Sequence, residues 1–400
     1  MSETETEAEF PTPNVSVDSI EPNALKAGID EGEDVTILDV RAESEFEEWH
    51  IDGESVEILN VPYFDFLDDV DEELLDRVPT GDPLVVVCAK GEASAYVASL
   101  LVEEEDRDAV NLAEGMNGWA RIYEAQEITR YDGAGAVYQY QRPSSGCLGY
   151  LVVDGDEAAV IDPLRTFTER YLEDAEARGA DLEYAIDTHV HADHVSGVRD
   201  LDAAGVEGVI PEAATERDVT YGDELTLAGD GDTFAVGDAR IEAIHTPGHT
   251  TGMTSYLVDG SVLLTGDGLF VESVARPDLE KGDAGAPDAA RQLYETLQER
   301  ILSLDDDVVV GGGHYSDAAE PAADGTYTAT LAELEAEMDA LSMDEDAFVD
   351  LVLDDMPPRP ANYEDIIATN LGQRETDDEE AFELELGPNN CAASQDSLAD

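Results

Sequence analysis

The run Thr188-His189-Val190-His191-Ala192-Asp193-His194 places three imidazoles and a carboxylate within one short segment. Imidazole and carboxylate are the ligand types that hold divalent first-row metals, so metal-assisted chemistry is what this spacing offers. Surface or capping histidines do not account for four such groups in one loop. Further candidates lie downstream: His249 in Thr246-Pro247-Gly248-His249-Thr250, Asp267 in Thr265-Gly266-Asp267-Gly268, and His314 in Gly312-Gly313-His314. Each adjoins a glycine, which permits a tight turn and close backbone approach. His245 reads as an orienting or packing residue.

Three cysteines, Cys88, Cys147 and Cys391, stand far apart. An odd, sparse set argues against a disulfide scaffold and for a reducing compartment. Cys88 follows the apolar run 84–87 and precedes a helical pattern reaching 104. There, backbone N–H groups and the positive helix end meet a nucleophilic sulfur. Cys147, at the start of a strand, reads as a core residue. Cys391 is a weaker candidate for relaying sulfur.

These side chains need elements to hold them. Buried strands are expected at 35–40 and 84–87, alternating with helices in a parallel α/β sheet. Turn-rich residues 131–136 read as a linker or boundary turn. Beyond them, strands at 148–153 and 158–161 form a hairpin, a helix covers about 166–178, and strand 184–187 runs straight into the histidines. Strands at 206–210, 240–245, 254–258, 262–265 and 308–311 follow, so that His249, Asp267 and His314 each sit in a loop after a strand. Helices are expected at 288–303 and, acidic in character, within 327–354. From 373 onward the pattern reads as loop with a short apolar stretch.

Composition narrows the setting. The chain has 96 Asp and Glu against 20 Lys and Arg, a net charge of −76. Lys26, Lys90 and Lys281 are its lysines. The acidic groups are spread through the whole chain, unlike a local acidic tail, which points to halophilic adaptation. In molar salt the Debye length falls to about 3 Å and the repulsion is screened. Nucleic acid is an unsuitable partner for so acidic a surface. No apolar run is long enough to span a membrane, and the acidic start (1–13, expected to be disordered) is unlike a signal peptide. The expected location is cytoplasmic; oligomeric state is not legible.

The histidine and aspartate series over 132–345 resembles the metallo-β-lactamase superfamily, which implies an αββα sandwich. Two kinds of centre follow from the resemblance. Glyoxalase II-type hydrolases use all of these positions for two Zn(2+) ions. Persulfide dioxygenases bind one Fe(2+) through a triad that here would be His189, His249 and Asp267. His191, Asp193, His194 and His314 would then belong to a second site or to the surroundings of the first. Arg276-Pro277-Asp278-Leu279 and Met356-Pro357-Pro358-Arg359-Pro360 resemble persulfide dioxygenase segments. Arg276 is therefore a candidate substrate-loop residue.

Residues 14–125 resemble a rhodanese domain, an α/β fold, through Leu38-Asp39-Val40-Arg41, Asn60-Val61-Pro62 and Gly115-Met116-Asn117-Gly118-Trp119. The resemblance makes Cys88 the catalytic thiol, with Lys90 and Gly91 in its substrate loop. The loop departs from the usual Cys-x-x-Gly-x-Arg-Ser form, with Glu92 and with Ala93 in place of the Arg. Asp39, Arg41 and His50 read as structural. Residues 346–400 remain as a C-terminal extension.

Together these features imply a sulfur-metabolism enzyme. One reading is a persulfide dioxygenase that converts a low-molecular-weight thiol persulfide and O2 to sulfite. Its rhodanese-like domain would exchange sulfur with thiosulfate or sulfite. The alternatives are a zinc-dependent thioester hydrolase and a non-catalytic sulfane-sulfur carrier or sensor.

Overall fold

In the computed structural model the described residues are 15–387, without 68–70, 106, 317, 355 and 357–358 or the side chains of 104 and 105. The expectations for residues 1–13 and for Cys391 fall outside them. The chain divides into two compact units, Met1–Ile122 and Tyr123–Asp400.

The first unit is a five-stranded sheet ordered Ser19–Ile20, Ala109–Leu112, Leu84–Val87, Val35–Asp39, Val56–Asn60. Every pairing is parallel. Strands buried on both faces read as near-continuous apolar runs, and Leu84-Val85-Val86-Val87 is one. Alternate residues serve opposite faces. Val86 and Leu38 pack with Val97 and Leu101 of helix Glu92–Glu105. Val85 and Ile37 pack with Leu25, Met116 and Trp119.

The second unit has four layers. A seven-stranded sheet and a six-stranded sheet face each other across a core that includes Val152, Ile161, Ile186 and Val209 on one side. Ile241, Tyr256, Leu264 and Val309 face them from the other. The outer face of the first sheet packs Leu151, Val160 and Ala185 on Tyr171, Val198 and Leu201 of helices Thr168–Ala177 and Val198–Ala203. The outer face of the second packs Leu263 and Val310 on Ala290, Leu293, Leu334 and Phe348. This is an αββα sandwich.

Three details differ from the sequence expectations. The turn at 131–136 is internal to the second unit, because strand Glu124–Glu127 pairs antiparallel with Ala136–Arg142; its short polar sequence carries no strand signal. The helix expected at 288–303 starts at Gly282, with Pro287 inside it, and ends in a π turn at Leu297–Ile301. Glycine and proline hid its first turns. The C-terminal residues, expected from sequence as loop and extension, fold into helices Tyr363–Asn370 and Asp378–Leu384.

Candidate metal centre and candidate thiol site

Strand Asp181–Ile186 ends where the histidine run begins, and strand Glu157–Ile161 beside it ends at Asp162. Strands Ala239–His245, Val262–Gly266 and Val309–Gly312 deliver His249, Asp267 and His314 from the facing sheet. All of His189, His191, Asp193, His194, His249, Asp267 and His314 are buried. Gly313 is required where it stands: a Cβ there would come within 2.5 Å of Asp267 Oδ1.

Among the described residues, four trios each bring one ligand atom per side chain within 4.8 Å: His189, His249, Asp267; and three that share members, His191, Asp193, His194; Cys147, Asp193, His314; and Asp162, Asp187, His191. The first trio has a distinctive arrangement, in which each side chain is tied at one atom and unpartnered at the other. Thr188 donates its hydroxyl hydrogen to Asp162 Oδ2 at 2.9 Å. Its oxygen is thereby left to accept from His189 Nδ1, also at 2.9 Å. The carbonyl of Arg276 accepts from His249 Nδ1 at 2.9 Å. His314 Nδ1 holds Asp267 Oδ1 at 2.8 Å. What remains is His189 Nε2, His249 Nε2 and Asp267 Oδ2, all buried and without hydrogen-bond partners. The carboxylate oxygen lies 3.5 Å from the first nitrogen and 3.6 Å from the second. Orphaned buried polar atoms are costly unless something satisfies them, and these fit a cation.

Electrostatics agree with that fit. Burial and the neighbouring His191 push His189 down to about 4, and burial also lowers His249, so both imidazoles are neutral at pH 7. Burial would raise Asp267, but His314 and His189 hold it well below the usual carboxylate range. His314 is different in kind. Its second nitrogen meets Asp193 Oδ2 at 2.9 Å, and although burial opposes its charge, Asp267 and Asp193 raise it well above the ordinary imidazole value. His314 thus lies between two carboxylates, which favour its charged form.

Several participants carried no sequence signal of function. Asp162 accepts from Thr188 N at 2.7 Å and meets His191 Nε2 at 3.1 Å; its place after a strand was the one available clue. Asn370 donates to the carbonyls of His191 and His194 at 3.0 and 2.8 Å and accepts from Ser196 N at 2.9 Å. Glu385 accepts from Val195 N at 2.9 Å. Cys147 is fully buried, as expected, yet its Sγ also lies 3.3 Å from Asp193 Oδ2 and 3.5 Å from His314 Nε2. The core reading was incomplete because the partners are remote in sequence. His245 stays apart, its Nε2 on the carbonyl of Thr251 at 2.9 Å. The buried guanidinium of Arg276 is engaged on Asp278 at 2.8 and 3.2 Å, so its backbone carbonyl is what serves the trio.

In the first unit, Cys88 lies between strand Leu84–Val87 and helix Glu92–Glu105. Its Sγ accepts from Gly91 N at 3.1 Å and lies 3.1 Å from Ser94 Oγ, which in turn lies 2.7 Å from Asn111 Oδ1. Ser94 has one hydroxyl hydrogen, so it serves one of these partners at a time. Gly115, at φ +57°, backs the loop so closely that a Cβ would overlap the Cys88 carbonyl. Lys90 is exposed. Asp39 and Arg41 form a buried ion pair at 2.7 Å, and His50 Nδ1 meets the Phe46 carbonyl at 2.9 Å.

Comparison with known proteins adds relatives to this geometry. Residues 144–314 match the metallo-beta-lactamase superfamily and residues 21–122 match the rhodanese-like domain. The human mitochondrial persulfide dioxygenase ETHE1 is 29% identical over 196 residues, which cover 47% of this chain and 73% of that protein. A hydroxyacylglutathione hydrolase of Brucella ovis is 36% identical over 141 residues, 35% of this chain and half of that one. A solved metallo-beta-lactamase from Staphylococcus aureus superposes with a TM-score of 0.54 at 25% identity, covering 60% of this chain and 73% of its own. Among the described residues, no helix is long and apolar enough to cross a membrane.

Proposed function

From a chain that joins a rhodanese-like domain to a metallo-β-lactamase-superfamily domain, we propose a persulfide dioxygenase acting on a low-molecular-weight thiol persulfide. The overall conversion is R–S–SH + O2 + H2O to R–SH + sulfite + two protons. The observation that carries this reading is the trio His189, His249 and Asp267, tied at one atom each and open at the other. Two imidazoles and one carboxylate leave coordination positions open, and ferrous iron held there supplies the one-electron chemistry that O2 requires. Thr188 and the Arg276 carbonyl fix both imidazoles in the tautomer that presents Nε2, and His314 keeps Asp267 ionised and aimed. The resemblance to persulfide dioxygenases supports the same assignment.

A second reading, a two-zinc thioester hydrolase, draws on the unpartnered His191 Nδ1 and His194 Nε2 and on the hydrolase relative. It would use His314 as a further ligand together with Asp193 and Asp267, whose carboxylates His314 meets at 2.9 and 2.8 Å.

For the rhodanese-like domain we propose that Cys88 exchanges sulfane sulfur. The thiolate attacks the outer sulfur of thiosulfate, an S–S bond forms on Cys88, and sulfite leaves with the electron pair. One chain then raises the effective concentration of each site's product at the other.

The test is anaerobic loading with iron followed by O2 uptake with glutathione persulfide. Uptake matched by sulfite is expected. Background uptake with one iron per chain would exclude the dioxygenase.

A further inference from the structure

Segment 276–280 links two features of the second unit. At one end the Arg276 carbonyl holds His249. At the other, Glu280 stands in the wall of two hollows. One, about 210 Å³, is also lined by His249, Thr250 and Thr251. The other, about 340 Å³, is lined by Arg217 and Arg359, by Leu279, Tyr363 and Leu371, and by the acidic residues Asp278, Glu280 and Glu364. Its size suits a small molecule, for which sites start at roughly 300 Å³. Its apolar floor rests on the histidine run: Leu279 packs with Ala192, and Leu371 with Val190.

Arg217 is the unsatisfied member of this hollow. Its side chain is 12% exposed and its Nη1 is buried without a hydrogen-bond partner. The carboxylate within reach, Glu280, is 3.7 Å away, too far for a hydrogen bond. Both Glu280 oxygens are already occupied, one by Thr251 N at 2.7 Å and the other by the Thr251 hydroxyl. Arg276 and Arg359, by contrast, share Asp278 at 2.8 Å each. A guanidinium removed from water without a fork-matched anion is costly, and a carboxylate is the anion its fork fits. In a chain of net charge −76, an anionic ligand needs such a local cation.

We propose that the Arg217 hollow holds the carboxylate end of a peptide thiol whose sulfur end reaches the His249 side, making Arg217 a specificity-determining residue. This rests on the thiol-persulfide reading for the substrate class. It selects carboxylate-bearing thiols over simple aminothiols.

The experiment uses the full iron-loaded chain, with Arg217→Met and Arg217→Lys confirmed folded by circular dichroism. O2 uptake is measured with glutathione persulfide and with cysteamine persulfide, which lacks a carboxylate. Arg217→Met is expected to raise KM for glutathione persulfide about tenfold, ~1.4 kcal/mol, with kcat little changed and the cysteamine KM unmoved. Arg217→Lys is expected to recover part of the loss. Equal effects on both substrates, or none, would overturn the proposal. A calorimetric arm needs no turnover: glutathione is expected to bind wild type at least tenfold more tightly than Arg217→Met, and more tightly than glutathione diethyl ester. If no persulfide is oxidised but this binding difference appears, the site stands and the dioxygenase reading falls. If binding is the same in all cases, the site itself is wrong.

Discussion

Arg142 and Glu385 meet at 2.7 Å with neither side chain exposed, although 243 residues separate them. The guanidinium also lies over the rings of Phe167 and Phe382. The second oxygen of Glu385 accepts from Val195 N, next to His194. One carboxylate therefore neutralises a buried cation and supports the histidine run. Removing it deletes the carboxylate from a buried ion pair, which typically costs about 3–5 kcal/mol. Glu385→Ala should lose that much in denaturant unfolding, and Glu385→Gln somewhat less. A loss below about 1 kcal/mol would mean that Arg142 finds another partner.

Metal content separates the candidate ligands. His249→Ala and Asp267→Ala should bring bound iron to background, because each deletes one of three converging atoms. His194→Ala should keep close to one iron per chain. Inductively coupled plasma measurement on anaerobically prepared protein decides this; two zincs per native chain would favour the hydrolase.

The pH dependence of stability should show Asp187. Burial lifts its carboxyl to about 6, with His191 opposing, Asp162 reinforcing and the Ser196 hydroxyl opposing. The folded state therefore holds this proton more tightly than the unfolded chain does, and stability from this group falls as pH rises from about 4 to about 6. In metal-free protein, Asp187→Asn should gain on wild type across that interval and stay level above it. Parallel curves for the two proteins from pH 4 to 7 would rule this out.

Two substitutions probe the thiol site. Cys88→Ser should abolish transfer of sulfur from thiosulfate and leave O2 uptake unchanged. Gly115→Ala forces a side chain into a positive-φ position against the Cys88 carbonyl. It should destabilise the first unit by at least 1–2 kcal/mol, the approximate cost of that conformation alone, and slow the transfer. An intact 32-dalton adduct on Cys88→Ser by mass spectrometry would show that the sulfur resides elsewhere.

The parts of this molecule written in local sequence were legible. The histidine run, and the strand-then-loop settings of His249, Asp267 and His314, lie in short stretches where period and punctuation speak directly. Cys88 was legible for the same reason. Asn370 was not, because an asparagine in an acidic helix looks like a surface residue until its carbonyl partners at His191 and His194 are known. Glu385 was hidden among 96 acidic residues. Cys147 could be read as buried, but its neighbours Asp193 and His314 lie beyond the ends of other strands. Arg217 shows the same limit: its chemistry lies in the partner it lacks.

The bond from Val195 N to Glu385 spans 190 residues, which sets an order of events during synthesis. The histidines leave the ribosome long before the carboxylate that braces them. At 5–20 residues per second the interval is roughly 10–40 s. For most of it the loop exists without Asn370, and throughout it without Glu385. Metal capture in the final geometry is thus deferred until Glu385 has been made, and a chain cut short before that point carries the histidines but not the finished cage.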